Sequence, residues 1–92
     1  MNREASKVQV TVREIMGSGE CPVGYKKGDT WLIDSNMTPA NFCMNAFEPV
    51  YPAIRTMRYG GIHPWGDSEM TSVCCPDWHN PVVFEIKRLP PD

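Results

Sequence analysis

The chain has 92 residues and a mass of 10.4 kDa, which is the size of one small domain. Lys and Arg number 9, Asp and Glu number 11, and the net charge of −2 gives no electrostatic reason to bind nucleic acid or a membrane surface. No apolar run approaches the roughly 20 residues of a membrane span, and the polar start lacks the apolar core of a secretory signal. We therefore expect a cytoplasmic protein, although a mature secreted chain would share these features.

The first third of the chain predicts two strands. Valines alternate with polar residues over positions 7–14, and this period of two is typical of a half-buried strand. Glycine-containing turns follow, and residues 30–33 predict a second short strand antiparallel to the first. Residues 1–6 are polar and we expect them to fray.

The middle of the chain predicts helical structure. Thr38 is a suitable N-cap and Pro39 suits the first helical position, where its missing N–H costs nothing. Apolar residues then recur at helical spacing as far as Met57, and the Gly60–Gly61 pair indicates the end of the helix.

Two prolines interrupt this helical pattern. Pro49 and Pro52 each lack a backbone donor and disfavour helix at the residue before them. We therefore expect either two short helices, over about 39–47 and 50–58, or one kinked helix.

The last third predicts two more strands. Residues 70–74 form the first of them, and Val82, Phe84 and Ile86 alternate with other residues in the second. The order β-β-α-β-β predicts one α+β domain over residues 1–92, in which a small antiparallel sheet carries the kinked or broken helical segment on one face.

Four cysteines are the residues most informative about function. They stand at Cys21, Cys43, Cys74 and Cys75. No two of them have the spacing of a C-x-x-C pair, so no thioredoxin-type motif or common zinc-finger spacing is present. Two of them precede proline in turns that follow the first and third strands, so both turns are expected at one end of the sheet. Thiolates that converge there suit an iron–sulfur cluster or tetrahedral zinc.

The neighbouring cysteines limit this metal site. Adjacent side chains of a strand point to opposite faces, so Cys74 and Cys75 reach one metal only if the chain leaves the strand at Cys74. Otherwise at most three sulfurs converge, and a fourth ligand must come from His63, Asp77, His79 or solvent. A metal with an open position would be chemically active.

The loops near the third strand offer a second interpretation. His63 and Trp65 lie in one loop, Trp78 and His79 in another, and such residues can line a pocket around a thiolate of Cys74 or Cys75 in a small enzyme or ligand-binding protein. The tryptophans could instead cover the edge of a thin core. Asp77 suits either setting the turn with its side chain or transferring protons beside a thiolate.

Interpretations without a cofactor also remain open. Free cysteine often acts as a small buried hydrophobic residue, and Cys43 lies on the apolar helical face. The chain would then be an interaction module with inert cysteines, and forming a homo-oligomer would relieve the shortage of core in so short a chain.

Several segments together resemble a family of short, uncharacterised prokaryotic proteins, many of them from anaerobes. The matching segments are V-Q-V-T-V at 8–12, C-P-V-G-Y-K-K-G-D at 21–29, the helix of Cys43, R-Y-G-G at 58–61, Pro64-Trp65, and C-C-P-D-W-H-N-P-V-V-F-E-I at 74–86. The resemblance spans nearly the whole chain and implies a compact α+β unit with characteristic cysteines. It favours an iron–sulfur cluster over zinc. We expect a small metal-binding protein with Cys21, Cys43 and Cys74 or Cys75 as ligands, which serves electron transfer or assists a redox enzyme as its partner.

Overall fold

The computed structural model describes residues 5–91, which fold into one sheet and one helix. The sheet has four strands in the order β2-β1-β4-β3, and every neighbouring pair is antiparallel. The elements in chain order are β1 (Val8–Ile15), β2 (Thr30–Ile33), α1 (Met44–Arg58), β3 (Met70–Cys74) and β4 (Val82–Arg88). The predicted α+β class, with a small antiparallel sheet, is confirmed.

The core lies between α1 and one face of the sheet. On the central strands β1 and β4, Val10 pairs with Ile86 and Val12 with Phe84, and all four side chains are buried. The helix contributes apolar side chains to the same core, namely Ala46, Val50, Ala53, Ile54 and Met57. The alternating apolar residues that predicted β1 and β4 therefore lie on the face of the sheet that the helix covers.

The helix begins later than the sequence predicts. Its N-cap is Cys43, whereas Thr38 and Pro39 lie outside it in irregular chain. Asn41 explains the difference, because its φ of 57° is a left-handed conformation that a right-handed helix cannot contain. The predicted helical start at residue 39 is therefore wrong.

Pro49 and Pro52 both lie inside a single helix of 15 residues. The prediction of two separate helices is wrong, and the alternative of one helix across both prolines is observed. A proline in a helix interior costs roughly 3 kcal/mol, and the buried apolar face of α1 offsets that cost. The helix ends as predicted: Gly60 has a φ of 84°, and the N–H of Gly61 donates to the carbonyl of Thr56 at 2.8 Å.

The two ends of the described chain are anchored to the body. The N–H of Ser6 donates to the carbonyl of Arg58 at 2.8 Å, and the N–H of Leu89 donates to the carbonyl of Lys7 at 2.9 Å. The predicted fraying of residues 1–6 falls mostly outside the described residues, and Ser6 itself is held. Within residues 5–91, no helix has the length and apolarity needed to cross a membrane.

Candidate functional site

The sheet topology brings the two Cys-Pro turns together. Ile15 at the end of β1 pairs with Val82 at the start of β4. The loop that leaves β1 and the loop that enters β4 therefore emerge at the same end of the sheet. Cys21 lies in the first loop and Cys75 in the second.

A cavity of about 270 Å³ lies at this end of the sheet, beside the start of α1. Cys21, Cys43 and Cys75 all line it, and each is a free, partly buried thiol. The remaining wall is mostly apolar or aromatic, with two polar residues, and comprises Pro22, Val23, Tyr25, Asn45, Ala46, Pro76, Asp77, Val82 and Phe84. Three thiols from three separate segments of the chain therefore share one concave surface, which we call the cysteine cavity.

Hydrogen bonds clamp the two turns to each other. The side-chain carbonyl of Asn80 accepts from the backbone N–H of Ser18 at 2.8 Å and from its hydroxyl at 2.7 Å. The N–H of Met16 donates to the carbonyl of Pro81 at 2.8 Å. The loop of Cys21 and the loop of Cys75 are thus fixed against each other by contacts that do not involve the cysteines.

Gly17 lies at the closest approach of these turns. Its φ is 69°, and a Cβ built on it would lie 1.9 Å from the carbonyl oxygen of His79. That distance is far inside van der Waals contact, so only glycine fits there without moving one of the turns.

The vicinal cysteines face in different directions. Cys74 pairs with Val83 on the face of the sheet that the helix leaves open, and it is exposed. Cys75 follows the end of β3 and borders the cavity. Its N–H donates to the carbonyl of Val82 at 3.0 Å, and its sulfur accepts from the N–H of Val82 at 3.2 Å. The structure therefore brings together three of the four predicted cysteines and leaves Cys74 outside.

Cys43 lies at the N-terminus of α1. It has an extended conformation, with φ −61° and ψ 126°, and its side chain makes no capping hydrogen bond. The first N–H groups of a helix have no acceptor within the helix and carry a partial positive charge. Asn45 and Ala46 of this first turn line the cavity, so the cavity lies beside the helix end that favours negative charge.

Tyr25 connects Cys43 to the preceding loops. Its hydroxyl accepts a hydrogen bond from the N–H of Cys43 and donates to the carbonyl of Asn41 at 3.2 Å. Burial raises the pKa of the Tyr25 phenol above its ordinary value of 10.0; the hydrogen bond with Cys43 opposes this, whereas the acidic groups of Cys43, Cys21 and Asp29 add to the rise. Tyr25 therefore holds the helix start in place as a neutral phenol.

Asp77 lines the cavity and also sets its turn. One carboxylate oxygen accepts from the N–H of His79 at 3.0 Å and from the N–H of Asn80 at 3.3 Å. These bonds agree with the turn-setting interpretation, and they leave the second carboxylate oxygen available to another partner.

The histidine and tryptophan candidates lie outside the lining of the cysteine cavity. The rings of His63 and Trp65 are 5.1 Å apart, and those of Trp78 and His79 are 3.6 Å apart. Trp65 is 70% exposed and Trp78 80% exposed, so neither covers the edge of the core as the sequence suggested. None of the four lines the cysteine cavity.

As the side chains stand, no group of three or more His, Cys, Asp or Glu within residues 5–91 is arranged to hold a metal ion. The residues that shape the site and that the sequence did not single out are Gly17, Ser18, Tyr25 and Asn80, whose roles depend on contacts between distant segments.

No family model, curated protein or solved structure matches the chain. The resemblance to the short prokaryotic family therefore stays a prediction.

Proposed function

We propose that the cysteine cavity holds an iron–sulfur cluster, and that the protein serves in electron transfer or as an accessory to a redox enzyme. One observation carries the proposal: Cys21, Cys43 and Cys75 come from three segments and line one cavity as free thiols. Thiolates are the usual ligands of such clusters. A small protein contributes by holding these ligands and by setting the reduction potential through burial and hydrogen bonds to sulfur.

The size of the cavity suits a cluster better than a single zinc ion. Sulfurs around tetrahedral zinc lie about 4 Å from one another, given bonds near 2.3 Å. No group of three such ligands in residues 5–91 has an arrangement suited to one ion. In a [4Fe–4S] cluster each thiolate binds a different iron atom, so the cysteine sulfurs lie farther apart than around one zinc ion. A cavity of about 270 Å³ bordered by the three thiols is better matched to that larger group.

The surroundings of the cavity suit a negatively charged cluster. The start of α1 favours negative charge, and Asn45 and Ala46 of its first turn line the cavity. Phe84 is fully buried and Tyr25 is partly buried, so this wall keeps water from one side of the group. The N–H of Val82 donates to the sulfur of Cys75, a contact of the kind that raises the potential of a cluster.

Three thiolates leave one iron atom without a cysteine ligand. Asp77 borders the cavity, and its second carboxylate oxygen is a protein candidate for that position. Without it, the position is open to solvent or to a small molecule, and an open position on a metal supports chemistry as well as electron transfer.

The partner and the location follow from the proposed chemistry. A cluster that exchanges electrons needs a second redox protein, which we expect as the partner. Cysteines outside disulfides persist in the reducing cytoplasm, and we place the protein there. Self-association is a separate question that the mass from light scattering answers.

The experiment compares two neighbouring cysteines. The full chain, Cys75→Ser and Cys74→Ser are purified without oxygen and reconstituted with ferrous iron and sulfide. We expect wild type and Cys74→Ser to bind iron and acid-labile sulfide with visible charge-transfer absorption, and Cys75→Ser to lose most of both. The two substitutions lie at adjacent positions of the chain, and only Cys75→Ser changes a residue that lines the cavity.

Two results would overturn the proposal. The first is a colourless wild-type protein with less than about one iron per several chains after reconstitution. The second is an equal loss of iron in Cys74→Ser and Cys75→Ser, because the cavity excludes Cys74. Circular dichroism on the metal-free variants separates loss of the cluster from loss of the fold.

A further inference from the structure

A second cavity, of about 330 Å³, lies along α1 away from the cysteines. It is formed between the C-terminal half of the helix and the segment that follows β2. Arg55 and Arg58 line it from the helix, together with Tyr51, and Ser35 and Thr38 line it from the segment. Its volume lies in the range of small-molecule sites, roughly 300–1,000 Å³.

Arg58 is a buried cation with no anionic partner among residues 5–91. It is only 9% exposed, and its contacts are long: Nη1 donates to the carbonyls of Ser6 at 3.4 Å and Ile33 at 3.5 Å, and Nη2 donates to the side-chain oxygen of Asn36 at 3.4 Å. All three acceptors are neutral. Elsewhere in residues 5–91, an ion pair joins the side chains of Arg88 and Glu69. The guanidinium carbon of Arg58 also lies 5.9 Å from the centre of the Tyr59 ring, which supplies no full negative charge. A buried guanidinium held by long bonds to neutral groups and by one aromatic face lacks the counter-charge that compensates buried charge.

Arg55 adds a second positive charge at the same cavity. It is exposed, lies one turn before Arg58, and its guanidinium carbon is 5.8 Å from the centre of the Tyr51 ring. The C-terminal end of a helix favours cations, which accounts for the sign of the two residues. It does not account for a nearly buried guanidinium that has no counter-charge from the described residues and lies at the wall of a cavity.

We infer that this cavity binds a small organic oxyanion, meaning a carboxylate or phosphate attached to an apolar or aromatic body. The charged group would lie against Arg58 and Arg55, whose planar N–H groups suit the two oxygens of such an anion. The hydroxyl of Thr38 is a further donor, and Phe47 and Tyr51 supply an aromatic wall for the body of the ligand. This inference is independent of the cluster, because the two cavities share no lining residue.

The test uses the full chain and four probes: phenyl phosphate, phenylacetate, inorganic phosphate and neutral benzyl alcohol. Binding is followed by NMR chemical-shift changes. We expect one or both aromatic anions to saturate below about 10 mM with shifts around Arg58, and benzyl alcohol to bind at least about ten-fold more weakly. A preference for phenyl phosphate identifies a phosphate site, and a preference for phenylacetate identifies a carboxylate site.

Matched variants distinguish this cavity from general attraction to positive charge. Arg55→Gln removes an exposed cation at the cavity, whereas Arg13→Gln removes an exposed cation on β1. We expect Arg55→Gln to weaken anion binding at least about five-fold and Arg13→Gln to change it less than about two-fold. Arg58→Lys keeps the charge but not the paired donors, and it should abolish saturation if the variant folds.

Three outcomes would overturn the inference. The first is that no aromatic anion saturates by about 10 mM. The second is that benzyl alcohol binds as tightly as the anions. The third is that Arg55→Gln and Arg13→Gln weaken binding equally, which would show a diffuse surface effect. Arg55 is exposed, so its variant tests the site even if Arg58→Lys does not fold.

Discussion

Gly17→Ala perturbs the contact that holds the two cysteine turns together. The added methyl carbon would lie 1.9 Å from the carbonyl oxygen of His79, and the backbone at Gly17 has a φ of 69°. Accommodating it requires the turn that carries Cys21 to move away from the turn that carries Cys75. The substitution therefore tests whether the close approach of these two turns contributes to the stability of the fold.

The expected loss of stability has a conformational part and a steric part, and the same substitution at a second glycine measures the conformational part alone. Alanine in the left-handed conformation costs roughly 1–2 kcal/mol, and forcing extra volume into a packed contact adds roughly 1–3 kcal/mol. Gly19 has a φ of 82° and no neighbouring atom within 4 Å of its built Cβ. Gly19→Ala should thus lose only the conformational part, about 1–2 kcal/mol, and Gly17→Ala about 2–5 kcal/mol.

The assay is urea unfolding of the metal-free protein, monitored by circular dichroism. The free energy of unfolding is compared for wild type, Gly17→Ala and Gly19→Ala. Equal losses in the two variants would refute the reasoning, because the close approach to His79 would then contribute nothing. A larger loss for Gly19→Ala would contradict the described geometry of the turn.

Two further predictions concern other contacts. Tyr25→Phe leaves the N–H of Cys43 without its acceptor and should lower the free energy of unfolding by about 1–3 kcal/mol near pH 8. Because the pKa of Tyr25 is raised in the folded protein, the unfolded chain releases the phenol proton first, and the stability of the wild type should fall as the pH rises above 10.0. Denaturation at stepped pH should show a shallower fall in stability for Tyr25→Phe. An equal fall in both proteins would contradict the assignment. Arg88→Lys loses donors to three backbone carbonyls and should lower the free energy of unfolding by about 2 kcal/mol. Glu69→Gln breaks only an exposed 3.9 Å ion pair and should lower it by less than about 0.5 kcal/mol in the same urea assay. Equal costs for these two variants would show that the ion pair, and not the carbonyl contacts, gives Arg88 its importance.

The strands could be predicted because local pattern and burial agree in them. Residues 30–33 and 70–74 have the predicted bounds, and the alternating valines of β1 all face the core. The start of the helix could not be predicted in the same way. Thr38 and Pro39 form a good local helix start, but the left-handed Asn41 ends that possibility. Contacts of the following segment with Tyr25 fix the actual start, and they join residues distant in the chain.

The cysteine site, like the fold, could be predicted from the sequence only in part. The antiparallel strand order explains why two Cys-Pro turns lie at one end, and strand alternation explains why Cys74 and Cys75 diverge. Loop composition did not reveal which loop residues reach the cavity. Among the loop candidates Asp77 lines it, whereas Trp65 and Trp78 lie largely in solvent. The position of a loop side chain depends on contacts such as the clamp at Asn80, which no local pattern encodes.

The central claim is tested most directly by a crystal structure of the anaerobically reconstituted protein, measured at the iron absorption edge. The account predicts anomalous iron density inside the cysteine cavity, within bonding distance of the sulfurs of Cys21, Cys43 and Cys75, and none at Cys74. An empty cavity in protein that retains iron, or iron bound at Cys74 on the open face of the sheet, would contradict it.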